Sequence, residues 1–233
     1  MREAAPLSAT TVYDGHPAQS ARAAAPAPLG SPAPSNRAVA GSELCVSEGR
    51  IEPSEASHLH VDAGGMRAVV AGDASSVAEL DFTYLGPSKQ IAPLANGELR
   101  RQIGVKLRAK DTCNVVYVMW HVEPTEGIHV SVKHNPGKST HAACGDGGYI
   151  SARAATSALI PRIRPNEKHR LRADIEGDVV RVLVDGIVAW KGSLPAEAST
   201  FDGPAGIRTD NGAFDFDLRV GHPRRAGARC AGH

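Results

Sequence analysis

The feature that most constrains the fold of this chain is the alternation of apolar and polar side chains in short segments separated by turn residues. A period of two places successive side chains on opposite faces of a β-strand. Three consecutive segments show it, with these apolar positions: Ile103, Val105 and Leu107; Val116, Val118, Trp120 and Val122; Ile128, Val130 and Val132. They predict three neighbouring strands that turn one face to the core, the last two joined by a turn at 123–127.

Further strands follow in the C-terminal half. Residues 179–184 and 187–190 flank Asp185-Gly186, a pair that predicts a two-residue hairpin turn of type I′. In residues 213–220 the apolar positions again alternate with charged ones, which predicts a last strand with one buried face. Weaker patterns predict earlier strands at 58–61, 66–71 and 77–84.

Many short strands and no helical periodicity predict an all-β domain that stacks two sheets or closes a barrel, and a two-sheet antiparallel sandwich fits the length better. The first 41 residues are dense in Ala, Pro and Ser, which predicts a disordered leader. The domain is therefore expected at 42–222, followed by a short basic tail at 223–233.

Three runs carry a family resemblance: HRLRADIEG at 169–177, VLVDG at 182–186 and FDGPAGIRTDN at 201–211. They resemble the closing strands of concanavalin A-like lectin/glucanase jelly rolls, in particular the laminin G-like and 3-keto-glycoside hydrolase-like branch. The resemblance extends over residues 78–220 and is best in the last part. It implies a two-sheet antiparallel jelly-roll sandwich. Members of the superfamily bind carbohydrate, cleave it, or serve as adhesion and spacer modules.

The polar face of the three central strands is the candidate ligand site. If Ile103, Val116 and Ile128 point inward, the opposite face is cationic and aromatic. It then presents Lys106, Arg108, Tyr117, His121, His129, Ser131 and Lys133. Cationic side chains and a tyrosine suit uronate or sulfate groups through charge-assisted hydrogen bonds.

The leading hypothesis is an extracytoplasmic carbohydrate-binding module without catalysis, with acidic polysaccharides as candidate ligands. One alternative is a polysaccharide lyase or glycoside hydrolase in which His121 and Tyr117 move protons on the same face. Another is a structural or adhesion domain with a solvated sheet face and no small ligand. Trp120 and Trp190 are expected to pack in the core rather than to stack on sugars.

The sequence motifs for a glucanase active site or a metal site are incomplete. Glu79 and Asp81 begin the Glu-x-Asp-x-x-Glu pattern of the glucanases, but Tyr84 stands at the third position, so solvent-facing carboxylates are expected. Histidines on one strand face suggest zinc only weakly, because no third ligand is implied; the pairs are His58 with His60 and His121 with His129. No cofactor is expected; calcium is a candidate ion near the last strand, where the oxygen ligands would be Asp210, Asn211, Asp215 and Asp217.

The four cysteines favour disulfides, because no Cys-x-x-Cys pair suggests a metal or redox site. The natural pairings are Cys113 with Cys144 and Cys45 with Cys230, which predict an oxidising compartment and hence secretion or the cell surface. The alternative is four unrelated reduced thiols in a cytosolic protein. The start of the chain shows no apolar signal, and no segment is apolar enough to span a membrane. A net charge of +1 argues against nucleic acid as partner and leaves a glycan, bound by a monomer, as the expected partner.

Overall fold

The structure is a computed structural model that describes residues 36–54, 58–94 and 96–221. The described residues form fourteen strands, one short helix α1 (His141–Cys144) and 3-10 turns at Gly41–Glu43 and Ala196–Ser199. The strands are β1 (Arg37–Ala38), β2 (Leu44–Glu48), β3 (Glu52–Pro53), β4 (Leu59–Ala74), β5 (Val77–Pro87), β6 (Arg101–Leu107), β7 (Val115–Glu123), β8 (Gly127–Lys133), β9 (Tyr149–Ser151), β10 (Arg153–Ser157), β11 (Lys168–Glu176), β12 (Val179–Val184), β13 (Ile187–Ser193) and β14 (Pro204–Val220).

The long strands β4 and β14 form an antiparallel ribbon from which two layers diverge. β6 pairs with residues 206–210 of β14 and continues through β7, β8 and β9, which is called here the β7 layer. β5 pairs with residues 212–220 of β14 and continues through β11, β12, β13 and β10, the β12 layer. The predicted neighbours β6, β7 and β8 are confirmed, and so is the all-β jelly-roll class.

The two layers face each other across one hydrophobic core. Phe82 of β5 meets Trp120 of β7 edge to face at 5.7 Å, and Trp120 lies 5.0 Å from the ring of His169 on β11. The predicted inward positions of the central strands are confirmed, because Ile103, Val118 and Trp120 are all buried in this core. Packing of this extent supplies most of the driving force for a fold of short strands.

The hairpin between β12 and β13 has the predicted turn. Asp185 and Gly186 both have positive φ, 49° and 86°, as a type I′ turn requires. Two of the weak sequence patterns, at 58–61 and 66–71, belong to the single strand β4. A strand of that length was missed because Gly64 and Gly65 interrupt its alternation.

The termini differ in part from the sequence-based boundaries. Residues 1–35 and 222–233, which hold most of the predicted leader and the predicted tail, lie outside the described residues. β1 pairs with Val220 and Arg219 of β14, so the domain includes residues that the sequence assigned to the leader. This pairing covers part of the edge of β14.

The predicted disulfide between Cys113 and Cys144 is present. It ties the segment before β7 to the loop after β8. The pairing of Cys45 with Cys230 stays a prediction, because Cys230 lies outside the described residues. Among the described residues, no helix has the length and apolar character needed to cross a membrane.

Asn211 marks the point where the two layers diverge. It is the one residue between the β6-paired and β5-paired parts of β14, and its φ is +56°. Its side-chain amide accepts a hydrogen bond from Ala92 N (2.8 Å) and donates to Ala92 O and Arg100 O (both 2.9 Å). Asparagine tolerates this left-handed backbone better than most residues, so one residue makes the bend and holds the loop at 88–100.

We predict that Asn211→Gly lowers the free energy of unfolding by about 3 kcal/mol, because three partly buried hydrogen bonds to backbone groups are lost at about 1 kcal/mol each. Asn211→Ala should cost about 1 kcal/mol more, because alanine is strained at positive φ. Urea unfolding measures both. As a control, Asn166→Ala at an exposed position with φ +68° should cost about 1 kcal/mol only. Equal stability of Asn211→Gly and the parent chain would contradict the role given to the side chain.

Candidate glycan pocket

A polar cavity along the β7 layer is called here the β7 pocket. Most of its polar lining lies on the outward face of that layer, the face turned away from the core, and Val130 and Trp190 of the core also border it. Its volume is about 610 Å³. Its floor consists of side chains from β6, β7, β8 and β14, and its walls come from the loop at 88–100 and from the segment around β9. The lining residues are Leu94, Asn96, Arg100, Gln102, Tyr117, Met119, His121, Ile128, His129, Val130, Ser131, Asp146, Tyr149, Ser151, Ala152, Trp190 and Arg208.

The register of the strands explains why these side chains meet. Gly104 of β6 lies between Met119 of β7 and Arg208 of β14 in the same cross-strand row. A Cβ atom on Gly104 would lie 2.2 Å from Val118 O, so only glycine fits there. The missing side chain leaves room on the floor for the guanidinium of Arg208.

A buried network fixes Arg208. Its Nε donates to Asp210 at 2.8 Å, and Gln102 Nε2 donates to the same carboxylate at 2.5 Å. Arg67 donates to the other oxygen of Asp210 at 3.2 Å. Burial opposes the charged guanidinium, but the adjacent carboxylate of Asp210 outweighs it, so the pKa of Arg208 lies above its ordinary value.

Two tyrosines flank this guanidinium. The guanidinium carbon of Arg208 lies 5.0 Å from the ring centroid of Tyr117, a cation–π contact, and Tyr117 stacks on Tyr149 at 6.1 Å with an interplanar angle of 26°. Burial raises the pKa of Tyr117 to about 12, so its hydroxyl stays protonated. Tyr149 is 43% exposed and is the aromatic ring that the pocket offers to a ligand.

His121 and His129 stack face to face, with ring centroids 3.8 Å apart. Burial, and to a smaller extent the proximity of His129, lowers the pKa of His121 to about 3. Burial also lowers the pKa of His129. Both rings are therefore neutral near pH 7 and act as polar, hydrogen-bonding walls rather than as cations.

Four of the seven site residues predicted from the sequence meet in the pocket: Tyr117, His121, His129 and Ser131. The orientation of the central strands that the prediction required is confirmed, since Val118 and Trp120 lie in the core. Whether these four side chains bind a ligand stays a prediction.

The three predicted cations are placed differently. Arg108 follows the end of β6 with φ +48°, so it leaves the strand alternation; its guanidinium donates to Gly177 O (2.7 Å) and Ala198 O (3.0 Å) and does not line the pocket. Lys106 and Lys133 point to the outward face but are buried beside the pocket rather than exposed in it. Lys133 donates to Gly145 O at 2.5 Å.

Several residues of the pocket were not predicted. Arg208 lies in a run that was read for the family resemblance only, although its alternation with Ile207 and Thr209 would have placed it on the outward face; its partner Asp210 was considered only as a calcium ligand. Gln102 is one position outside the alternating segment that was read. Tyr149 reaches the pocket from β9, a three-residue strand with no recognisable pattern.

The loop at 88–100 closes one side of the pocket. Asn211 holds it through Ala92 and Arg100 O, and Glu98 pairs with Arg100, whose Nε lies 3.1 Å from Glu98 Oε1. The loop therefore presents Asn96 and Arg100 at the rim in a fixed arrangement.

Tyr117 and His121, the pair considered for proton transfer, do not converge. They are four residues apart on β7 with Met119 between them, a separation of about 13 Å along the strand. A histidine whose pKa is about 3 is also a weak base near neutral pH.

The other sequence signals fall on the outer face of the β12 layer. Asp81 accepts from Arg170 Nε at 2.5 Å, and Arg172 lies 3.3 Å from Glu79 Oε2. The expectation that this pair of carboxylates faces solvent holds only in part, because Glu79 is largely buried within its ion pairs.

The residues considered as metal ligands are engaged with protein partners. Asp215 and Asp217 bind His60 and His58, each at 2.7 Å, and Asp210 and Asn211 have the partners described above. Within residues 36–54, 58–94 and 96–221, no three His, Cys, Asp or Glu side chains are grouped so as to hold a metal ion. Calcium stays an untested prediction.

No protein-family model and no curated protein matches the chain by sequence. Among solved structures, it is similar to the carbohydrate-binding module CBM66 of Bacillus subtilis, with TM-score 0.53 and 13% identity over 75% of this chain and 91% of that one. It is also similar to the carbohydrate recognition domain of Emp46p, with TM-score 0.48 and 7% identity over 77% and 88%. A third is a non-specific endo-β-1,3(4)-glucanase of family GH16, with TM-score 0.43 and 13% identity over 82% and 96%.

Identities this low speak for the fold alone. The chain has a concanavalin A-like jelly-roll fold, as the sequence resemblance implied. The laminin G-like branch stays a prediction. Structures with this architecture include binding modules, lectins and glycoside hydrolases, so function must be argued from the pocket.

Lys106, which is buried beside the pocket, allows the electrostatics of this region to be tested through the pH dependence of unfolding. Burial, reinforced by Arg67 and Arg208, lowers its pKa from 10.5 to about 7. Between about pH 7 and 10.5 the unfolded chain therefore binds more protons than the folded one. The free energy of unfolding falls as the pH falls through that window, because protonation of Lys106 favours the unfolded state.

We predict that Lys106→Met stabilises the protein below pH 7, by at most about 5 kcal/mol at about 1.4 kcal/mol per pKa unit, and that the gain disappears towards pH 10.5. Lys106→Arg, which keeps its proton throughout, should be destabilised at every pH. Urea unfolding between pH 6 and 10 measures both. A gain from Lys106→Met that does not depend on pH would show that the amine is protonated without penalty.

Proposed function

We propose that the domain is a carbohydrate-binding module that holds a polysaccharide in the β7 pocket and does not turn it over. The observation that carries this proposal is the arrangement of the exposed Tyr149 ring, stacked on Tyr117 and set beside the fixed guanidinium of Arg208. A sugar presents an apolar face of C–H groups and a rim of hydroxyls. An aromatic platform next to oriented polar groups matches both.

The rest of the pocket supports this proposal. Its volume of about 610 Å³ fits a short oligosaccharide segment, and its polar groups Gln102 and Arg208 are both oriented by the carboxylate of Asp210. Groups that are already oriented lose little entropy when a ligand binds.

Binding is favoured over elimination or hydrolysis by the separation of Tyr117 and His121 and by the protonation states of the two side chains. A lyase needs a base and an acid close to one sugar ring. The pocket instead offers donors and acceptors at separate points of its floor.

A secreted or cell-surface location is part of the proposal. The disulfide between Cys113 and Cys144 would persist in an oxidising compartment. A monomer is expected, since the pocket is built within one chain.

We predict that Tyr149→Ala weakens glycan binding about tenfold or more, because the stacking platform is lost, corresponding to about 1.4 kcal/mol or more. A glycan array identifies ligands, and calorimetry with a hit measures the affinity of the parent chain and the variant. The absorbance of unsaturated uronates is followed in parallel, and its rise would indicate a lyase instead.

Arg108→Ala is the matched contrast, since the sequence placed this cation in the site and the structure places it elsewhere. Its affinity should equal that of the parent chain, provided that thermal unfolding shows an intact fold. Loss of affinity in Arg108→Ala but not in Tyr149→Ala would refute the placement of the site. Absence of binding to every glycan would refute the function.

A further inference from the structure

The two arginines that line the β7 pocket are already paired with carboxylates. Arg208 directs Nε and Nη2 to Asp210, at 2.8 and 3.5 Å, and keeps Nη1 for Tyr149 Oη at 3.5 Å. Arg100 directs its Nε and Nη2 to Glu98. Each guanidinium keeps its Nη1/Nη2 edge as a pair of donors, but its charge is already neutralised by the adjacent carboxylate, which weakens its attraction for a further anion.

The remaining cations of the β7 layer do not reach the pocket. Lys106 and Lys133 are 3% and 2% exposed and are absent from the lining. The ammonium group of Lys133 is held by Gly145 O and lies 5.5 Å from the ring centroid of Tyr149. The two histidines in the lining are neutral near pH 7 because burial lowers the pKa of each.

The pocket also contains an acceptor that has no partner. Gln102 is 1% exposed and lines the pocket, and its Oε1 is buried without a hydrogen bond. The amide cannot be reversed to remove this deficit, because Asp210 only accepts and requires the Nε2 donor. A buried acceptor in this state is stabilised by a donor and destabilised by an approaching anion.

The carboxylate of Asp146 is a second acceptor in the pocket that can bind a hydrogen-bond donor. Its exposed carboxylate forms part of the wall beside Tyr149. At neutral pH a uronate carboxylate or a sulfate ester has only acceptors, whereas a hydroxyl both donates and accepts. A hydroxyl can therefore donate to Gln102 Oε1 or Asp146 and also accept from Arg208 Nη1, whereas an anionic substituent can only accept from Arg208.

We infer that the β7 pocket recognises a neutral, hydroxyl-rich sugar and discriminates against uronates and sulfated sugars, an inference that rests on the proposed glycan-binding function. Of the cations that suggested an acidic ligand from the sequence, Arg108 binds the carbonyls of Gly177 and Ala198, and Lys106 and Lys133 are buried beside the pocket. The arginines that do line the pocket, Arg208 and Arg100, and the buried Lys133 have partners inside the protein. They hold Asp210, Glu98 and the carbonyl of Gly145 in place.

Ligands that differ at one carbon test the inference directly. A polyuronate and its carboxyl-reduced form share linkage and length, and differ in carrying –COO⁻ or –CH₂OH at each ring. Among matched pairs of this kind on the array and in calorimetry at pH 7, the neutral member of any pair that binds should bind at least tenfold tighter. Equal affinity, or preference for the uronate, would overturn the inference while leaving glycan binding established. If no glycan binds, the proposed function fails and the inference with it.

A variant that frees Arg208 provides the second test. Asp210→Asn keeps the shape of the side chain and removes the charge that neutralises the guanidinium. The preference for the neutral glycan should fall at least tenfold, because the positive charge of the arginine is then uncompensated and attracts a carboxylate. Asp217→Asn, which makes the same charge change on the outer face of the β12 layer, should keep the parent preference. If Asp210→Asn unfolds, the matched ligands with the parent chain still decide; an unchanged preference in a folded Asp210→Asn would count against the role of this ion pair.

Discussion

The bend of β14 at Asn211 is the constraint on which the rest of the structure depends. The same strand contributes Ile207, in its β6-paired part, and Phe216, in its β5-paired part, to the shared core, so a single left-handed residue lies where the layers diverge. Because its side chain also holds the loop at 88–100 through Ala92 and Arg100, the bend and the wall of the pocket are formed together. Fold and site therefore cannot vary independently at this position.

The polar network on the outward face beside this bend requires the desolvation of charged groups, which costs free energy. The attraction between the buried Arg208 and Asp210 offsets the desolvation of both charges only when the remaining donors and acceptors are satisfied. Gln102 and Arg67 complete the carboxylate, whereas Gln102 Oε1 remains without a partner. A hydrophobic floor would be simpler and more stable, so the cost of this network favours a role in orienting a ligand over a role in stability.

The sequence predicts the strands and their faces because alternation is a local signal, and β6, β7 and β8 follow it closely. Arg108 shows its limit, since the pattern extends one residue beyond the strand and a positive φ redirects the side chain. Alternation also predicts on which face of β6 the side chain of Lys106 lies. It does not predict how deeply that side chain is buried, because burial depends on neighbours from other strands. The place of Tyr149 in the pocket cannot be predicted from the sequence, since it depends on a loop rather than on a periodic pattern.

That loop connects the disulfide with ligand binding. Cys144 is tied to Cys113 directly before β7, and Gly145 next to it accepts from Lys133 of β8. Asp146 and Tyr149 follow within five residues of the disulfide, so the covalent link and the buried lysine restrict where the exposed ring can lie. A short three-residue strand could not fix an aromatic platform by its own pairing. Oxidation of this cysteine pair thus contributes to the pre-organisation of the pocket as well as to the stability of the domain.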